Sequence, residues 1–289
     1  MKTDTRTFRR LALSLPGAAL AAAWSLPVGA SGHGPVFALA TPTLARGAWS
    51  SDTAAMGLQT SAGAPVMFRQ MIGYGLTPDL QLNVSVPLAP TLDRIAAPPR
   101  SRLAAMMGAW GEAEASVMWR FHSRAPRIGV RRESTLLLGF ATPMDARRNG
   151  VRVGPSVHLA LVTGYASRSW YWWGGAGYEY YLPRNADRLG ALPYLTAALG
   201  YRPAYFRNAG RPDWRGFLEA VAEFPGRNRI AGRTDPNSGG SRLLIGPSVL
   251  GLFGAWGIGA GMLWPVTQHL NGNQPGERYR WAVNVSYWF

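Results

Sequence analysis

Apolar and polar side chains alternate with a period of two over long stretches of this chain. In 79–88 every second residue is apolar, namely Leu80, Leu82, Val84, Val86 and Leu88. The positions between them carry Gln81, Asn83 and Ser85, and only Pro87, which belongs near a strand end, interrupts the pattern. Successive side chains of a strand point to opposite faces, so this pattern predicts β-strands with one apolar face.

About twelve segments show the pattern, near 48–60, 66–76, 79–88, 105–122, 133–142, 151–165, 169–182, 192–202, 214–224, 243–252, 255–264 and 280–289. Many are longer than the roughly 5–6 residues of soluble strands and match the ~9–11 residues that a tilted strand needs to cross a bilayer. An open sheet edge in hydrocarbon leaves backbone groups unpaired, so such strands must close. We therefore predict an all-β fold, an antiparallel transmembrane β-barrel of about 12 strands.

A soluble β-sandwich gives the same alternation, and three features favour the membrane barrel. Aromatic residues cluster at segment ends, as in 170–173 and 178–181, where a barrel has its interfacial girdles. The last strand ends in Phe289, which is similar to the terminal aromatic signal of bacterial outer-membrane barrels. Long connections, near 89–104, 143–150, 183–191, 225–242 and 265–279, tend to alternate with tight ones, near 77–79, 166–168 and 253–254. The fit is imperfect, because 123–132 and 203–213 are long for periplasmic turns and 61–65 is short for an outer loop.

The first thirty residues predict a cleaved signal peptide. Basic residues precede an apolar stretch from Leu11 to Trp24, and Val28-Gly29-Ala30 offers small residues for cleavage. An N-terminal membrane anchor is the alternative. The predicted organisation is a signal peptide (1–30), an N-terminal periplasmic segment (31–47) and an outer-membrane β-barrel (48–289), with export through the inner membrane.

The charge and composition exclude several classes of protein. Mean hydropathy is -0.06, too low for a helical membrane bundle, and the absence of cysteine excludes disulfide scaffolds and thiol catalysis. Of the 30 basic residues all but Lys2 are arginine, against 15 acidic ones. The arginines are dispersed, largely in connections, which argues against nucleic-acid binding. Arginines in outer loops suit the phosphates of membrane lipid and lipopolysaccharide as partners, although simple solvation explains them equally well.

The polar face of a barrel strand points into the lumen. By parity it receives Asp52 and twelve further charged or titratable residues, which are the candidate lumen-lining site: Glu112, Glu114, Arg120, His122, Arg152, His158, Glu179, Arg202, Arg215, Glu219, Glu223 and Arg280. Both signs are present, so the side chains either pair across a nearly closed interior or line a narrow water-filled path. A ring of this kind sets the selectivity of a channel.

No catalytic or metal motif is found, so we expect neither enzymatic activity nor a cofactor or metal. The sharpest enzymatic candidate is Ser156 with His158 and Glu179, in the manner of lipid hydrolases with a Ser–His pair. That pair is predicted to face the lumen, whereas a lipid substrate lies outside. His33 is a single histidine near the predicted new N-terminus.

The segment Ile72-Gly73-Tyr74-Gly75-Leu76-Thr77-Pro78-Asp79, followed by an alternating strand that ends at Val86-Pro87, resembles a hairpin of a known bacterial family. These are outer-membrane β-barrel transporters of the phenol-degradation meta-pathway type. The segment 108–114 is similar to the next strand of that family, and the start at 33–50 is similar to members found among metal-handling genes. The resemblance implies a barrel and transport, and assigns no catalytic or binding residue.

These observations predict a monomeric outer-membrane channel or transporter for small solutes, aromatic or hydrophobic ones included. The alternatives are a lipid-modifying enzyme of the outer membrane and a plugged structural barrel whose Arg-rich loops contact lipopolysaccharide. The barrel-assembly machinery is the expected partner of the C-terminal strand that ends at Phe289.

Overall fold

The computed structural model describes residues 34–88, 102–104, 108–109, 111–144, 147–148, 151–207 and 211–289. The predicted signal peptide and His33 lie outside the described residues. Within the described part of the chain, no helix is long and apolar enough to cross a membrane.

Twelve long strands form the body of the molecule. In chain order they are β1 (Trp49–Thr60), β2 (Val66–Thr77), β3 (Leu80–Pro87), β4 (Glu112–Arg127), β5 (Val130–Pro143), β6 (Ser156–Ala166), β7 (Trp170–Tyr181), β8 (Leu192–Tyr201), β9 (Asp213–Glu223), β10 (Gly240–Phe253), β11 (Trp256–Leu270) and β12 (Glu277–Trp288). Short two-residue pairs, such as the one formed by Arg147–Arg148 and Val151–Arg152, decorate the connections.

The twelve strands close into a single antiparallel barrel. Each strand pairs with its neighbours in the sequence, and β12 pairs with β1, so that Thr53 lies opposite Gln70 on one side and Val285 on the other. No strand of the barrel therefore has an open edge, which is the condition for a sheet in hydrocarbon. The predicted fold class is confirmed.

The two ends of the barrel differ. One end, which we call the short-turn end, carries the turns at 78–79, 128–129 and 254–255, with Gly129 (φ 75°) and Gly254 (φ 63°) in two of them. The prediction of a long connection at 123–132 was wrong, because β4 and β5 run on to a turn of two residues. Arginines stand on both faces of these strand ends, so the alternation that marks a strand is lost there. The opposite, long-loop end carries the connections 144–155, 182–191 and 224–239.

Apolar side chains cover the outer wall. Five examples, each about half exposed, are Val84, Leu138, Leu159, Leu195 and Leu218. They lie on the face that a membrane barrel presents to lipid. Aromatic rings pair on this wall at the short-turn end, with centroids 4.6 Å apart for Trp49 and Tyr74, 4.7 Å for Trp170 and Tyr201, and 4.6 Å for Trp256 and Tyr287. They form an aromatic girdle of the kind found at membrane interfaces.

The interior is mixed in polarity, whereas strand parity predicts mainly polar side chains there. Buried ionised groups share it with apolar residues, among them Met56, Met67, Val162, Trp173 and Leu244. The apolar residues pack against the segment that precedes β1, which lies inside the barrel.

Candidate functional site: the barrel interior

The chain before β1 enters the lumen. We call residues 34–47 the luminal segment. Phe37, Ala38, Leu39 and Leu44 are all at most 3% exposed, and they belong to two clusters of buried side chains that the barrel strands complete. This segment was predicted to lie in the periplasm, and the structure places residues 36–44 within the barrel instead.

One buried carboxylate holds the inner end of the luminal segment. Glu219 of β9 accepts hydrogen bonds from the backbone N–H groups of Val36 at 2.8 Å and of Phe37 and Ala38 at 2.7 Å each. The hydroxyl of Ser248 also donates to Glu219. The two carboxyl oxygens of Glu219 accept four hydrogen bonds, three of them from the backbone of the segment, so Glu219 is the main polar anchor of the segment.

Polar contacts continue along the segment toward the short-turn end. Thr41 donates to Glu133 at 3.1 Å, and its carbonyl accepts from Thr135 at 2.7 Å. The N–H of Leu44 donates to Gln81 at 2.8 Å. Near the rim a Cβ on Gly75 would lie 2.0 Å from the carbonyl oxygen of Ala45, so only glycine permits this close passage of the segment.

Four ionised side chains pair in the interior toward the long-loop end. Arg280 donates to both Glu223 (2.9 and 3.1 Å) and Glu277 (2.8 and 3.0 Å). Arg242 lies 2.5 Å from Glu223 and 3.3 Å from Glu277. All four side chains are at most 1% exposed. Two positive and two negative charges make this group neutral, which a buried ion cluster requires.

A second polar group includes the Ser–His candidate. Ser156 donates to Glu179 at 3.0 Å and lies 3.4 Å from a carboxylate oxygen of Glu112. His158 contacts the hydroxyl of Tyr194, with Nε2 and oxygen 2.5 Å apart. The hydrogen bond from Ser156 thus runs to a carboxylate inside the barrel, away from the lipid face.

At the short-turn mouth Arg120 links the wall to the luminal segment. It donates to Asp79 at 2.8 and 2.9 Å and to Glu133 at 3.0 Å, and Glu133 in turn accepts from Thr41. Asp213 holds two further arginines, with Arg202 at 2.7 Å and Arg215 at 2.7 Å. These two arginines are partly exposed at the rim.

Most of the residues proposed to line the lumen are buried inside the barrel: Asp52, Glu112, Glu114, Arg120, His158, Glu179, Glu219, Glu223 and Arg280. Two positions differ from the parity prediction. A β-bulge after Arg120 shifts the register, so that His122 is exposed opposite Ser134. Arg152 is exposed on a short strand outside the barrel, because the long β6 begins only at Ser156.

Sequence reasoning missed several interior groups. On β2 the side chain of Arg69 points to the face opposite those of Phe68 and Gln70, so strand parity was sufficient to predict that Arg69 lies in the interior. Arg242 and Glu277 were assigned to loops, because β10 and β12 begin three residues earlier than the alternation indicates.

Comparison with solved structures places the fold among bacterial outer-membrane channels. The COG4313 outer membrane channel from Pseudomonas putida F1 superposes with a TM-score of 0.61 and 11% identity, over 86% of this chain and 98% of that chain. The NanC porin superposes with a TM-score of 0.51 and 9% identity, over 82% and 98% of the two chains. No protein-family model and no curated protein matches the sequence. At these identities the likeness establishes the fold.

Proposed function

We propose that this protein is an outer-membrane channel for small solutes, and that the luminal segment narrows its passage. The observation that carries the proposal is a closed barrel with apolar side chains on its outer wall and ionised side chains within. Such a wall is stable in hydrocarbon, and the polar side chains that it encloses are the kind of groups that line a solute route in membrane barrels. The barrel architecture shared with an outer-membrane channel and a porin supports the same assignment.

The outer membrane is the proposed location, with the short-turn end in the periplasm. Bacterial barrels have short periplasmic turns and longer outer loops, and the aromatic girdle lies at the short-turn end. The long-loop end carries exposed arginines, including Arg184, Arg227 and Arg233, which suit lipopolysaccharide phosphates. The strand that ends at Phe289 is the proposed contact for the barrel-assembly machinery.

Small organic molecules are the proposed cargo. The resemblance of the 72–88 hairpin to transporters of the phenol-degradation meta-pathway type favours aromatic or hydrophobic solutes. Aromatic rings inside the barrel agree with this choice, since Tyr171 and Trp173 stack at 5.8 Å and Phe217 lies 6.1 Å from Trp173.

We propose that the protein is not an enzyme. A serine nucleophile needs a base that takes its proton, held in position by a third group. Here Ser156 donates to Glu179, and both are buried in the interior where a membrane lipid has no access. These contacts favour a structural role in the wall over lipid hydrolysis.

Glu219→Ala tests the proposal. The substitution removes the acceptor of three N–H groups, of which those of Phe37 and Ala38 are buried. A buried N–H group costs about 1–3 kcal/mol when left unpaired, so the inner end of the luminal segment is expected to leave its site. We expect single-channel recordings in planar bilayers to show current for the wild type, and larger, noisier openings for Glu219→Ala.

Ser248→Ala is the matched control, because it removes one hydroxyl contact and leaves the acceptor of the three N–H groups in place. Its conductance is expected to stay near the wild-type value. Absence of current from both the wild type and Glu219→Ala, in folded protein, contradicts a channel function.

A further inference from the structure

A shallow cavity of about 660 Å³, widely open to solvent, lies at the short-turn end, between the β4–β5 turn and the β6–β7 turn. Four arginines line it, namely Arg127, Arg131, Arg168 and Arg202. The cavity is linked to the luminal segment through two contacts. Arg131 of its lining lies 3.6 Å from the carboxylate of Glu133, and Glu133 accepts a hydrogen bond from Thr41 of the luminal segment.

The positive charge of this cavity exceeds the negative charge around it. Arg202 is paired with Asp213 at 2.7 Å, and Arg131 shares Glu133 with Arg120. In the part of the chain that the structure describes, no carboxylate lies within ion-pair distance of Arg127 or Arg168. Two guanidinium groups are thus available to bind an anion, which they can grip through paired N–H donors.

Apart from Ser167, the remaining side chains of the lining are apolar. Ile128 stands at the tip of the β4–β5 turn and is 94% exposed, and Val130, Ala125 and Ala166 line the same cavity. A fully exposed isoleucine beside arginines offers contact area that inorganic anions do not use. Ligand pockets of this size combine apolar walls with a few polar groups that orient the ligand.

We propose that this cavity binds small organic anions, in which a carboxylate is joined to an apolar body. The carboxylate pairs with Arg127 and Arg168, and the apolar body covers the exposed side chain of Ile128. The inference rests on the proposed channel function in one respect, in that the ligand is the solute held at the periplasmic mouth before or after passage. Binding itself does not require conduction.

Isothermal titration calorimetry on the purified full chain in detergent micelles, with benzoate, acetate and inorganic phosphate as the probes, tests the proposal. Protein-free micelles correct for partition of benzoate into detergent. We expect benzoate to bind more tightly than acetate or phosphate. Arg127→Gln with Arg168→Gln is expected to weaken benzoate about tenfold or more, because hydrogen bonds to charged groups are lost.

Two further variants separate charge from shape. Arg132→Gln removes the same charge from the same hairpin at a position outside the cavity lining, and is expected to leave the affinity unchanged. Ile128→Ser is expected to weaken benzoate while acetate is unaffected.

Equal affinity of the three probes, or an equal loss in Arg132→Gln and in the double variant, overturns the proposal. Bilayer recordings on the same preparation keep it distinct from the channel function. Current without benzoate binding refutes the anion site alone, and benzoate binding without current refutes the channel alone.

Discussion

Removal of residues 34–44 is expected to raise the single-channel conductance several-fold. These residues lie inside the barrel, and the side chains of Phe37, Leu39 and Leu44 fill part of the lumen that the strands enclose. The wall does not depend on them for its backbone hydrogen bonds, since each strand is paired on both sides. Planar-bilayer recording of the deletion variant beside the full chain measures the effect.

The deletion also removes apolar contacts worth about 1.5–3 kcal/mol for each large side chain, so its folding must be checked by circular dichroism. Glu219→Ala provides an independent route to the same opening with the full apolar set retained. A folded deletion variant that conducts like the full chain contradicts the assignment of the luminal segment to the passage.

Arg280→Ala is expected to lower the free energy of unfolding by about 3–5 kcal/mol, the usual cost of removing one partner from a buried ion pair. The substitution leaves the carboxylates of Glu223 and Glu277, both buried, to share Arg242. Unfolding by guanidinium chloride from lipid vesicles, followed by tryptophan fluorescence, measures the change.

Arg202→Ala is the matched control for Arg280→Ala. It also breaks an arginine–carboxylate pair, but its side chain and that of Asp213 are 22% and 18% exposed. Since rim pairs are worth about 0–1 kcal/mol, its effect is expected to be small. If both variants lower the free energy of unfolding by the same amount, burial is not what makes the charge group toward the long-loop end important for stability.

The number of strands, the closure of the barrel and the direction of most side chains could be predicted from the sequence. The reason is that a strand keeps its period of two wherever one of its faces meets lipid. The stretch with Leu82, Val84 and Val86 shows this, since these alternating residues are exposed on the outer wall as expected. The predicted direction of a side chain is wrong where a bulge breaks the period, as at His122, and where the barrel strand begins later than the alternation does, as at Arg152. The bulge that turns His122 outward inserts one residue without any mark in the local sequence.

The luminal segment could not be predicted for a different physical reason. Its partners, Glu219 and Thr135 among them, are distant in the sequence, and an irregular segment carries no periodicity. The lengths of some strands were also underestimated. Their ends carry charged residues, as at Arg127 and Glu277, and a charged strand end resembles a loop in the sequence.

The chain contains no cysteine, which allows a direct test of whether the luminal segment occupies the passage. A Cβ on Gly175, inside β7, would lie 3.3 Å from the Cβ of Leu39, close to the roughly 3.5–4.5 Å of a disulfide. The pair Leu39→Cys with Gly174→Cys is the control, since a Cβ on Gly174 meets nothing within 4 Å.

The decisive measurement is the bilayer conductance of Leu39→Cys with Gly175→Cys, placed in the Glu219→Ala background, before and after dithiothreitol. We expect the disulfide to form under mild oxidation and to hold the segment in the barrel, so that the oxidised channel conducts like the wild type, and we expect reduction to bring back the larger openings of Glu219→Ala. The control pair in the same background is expected to be insensitive to the reductant. Failure of the disulfide to form, or equal conductance in both redox states, contradicts the placement of residues 36–44 across the solute path.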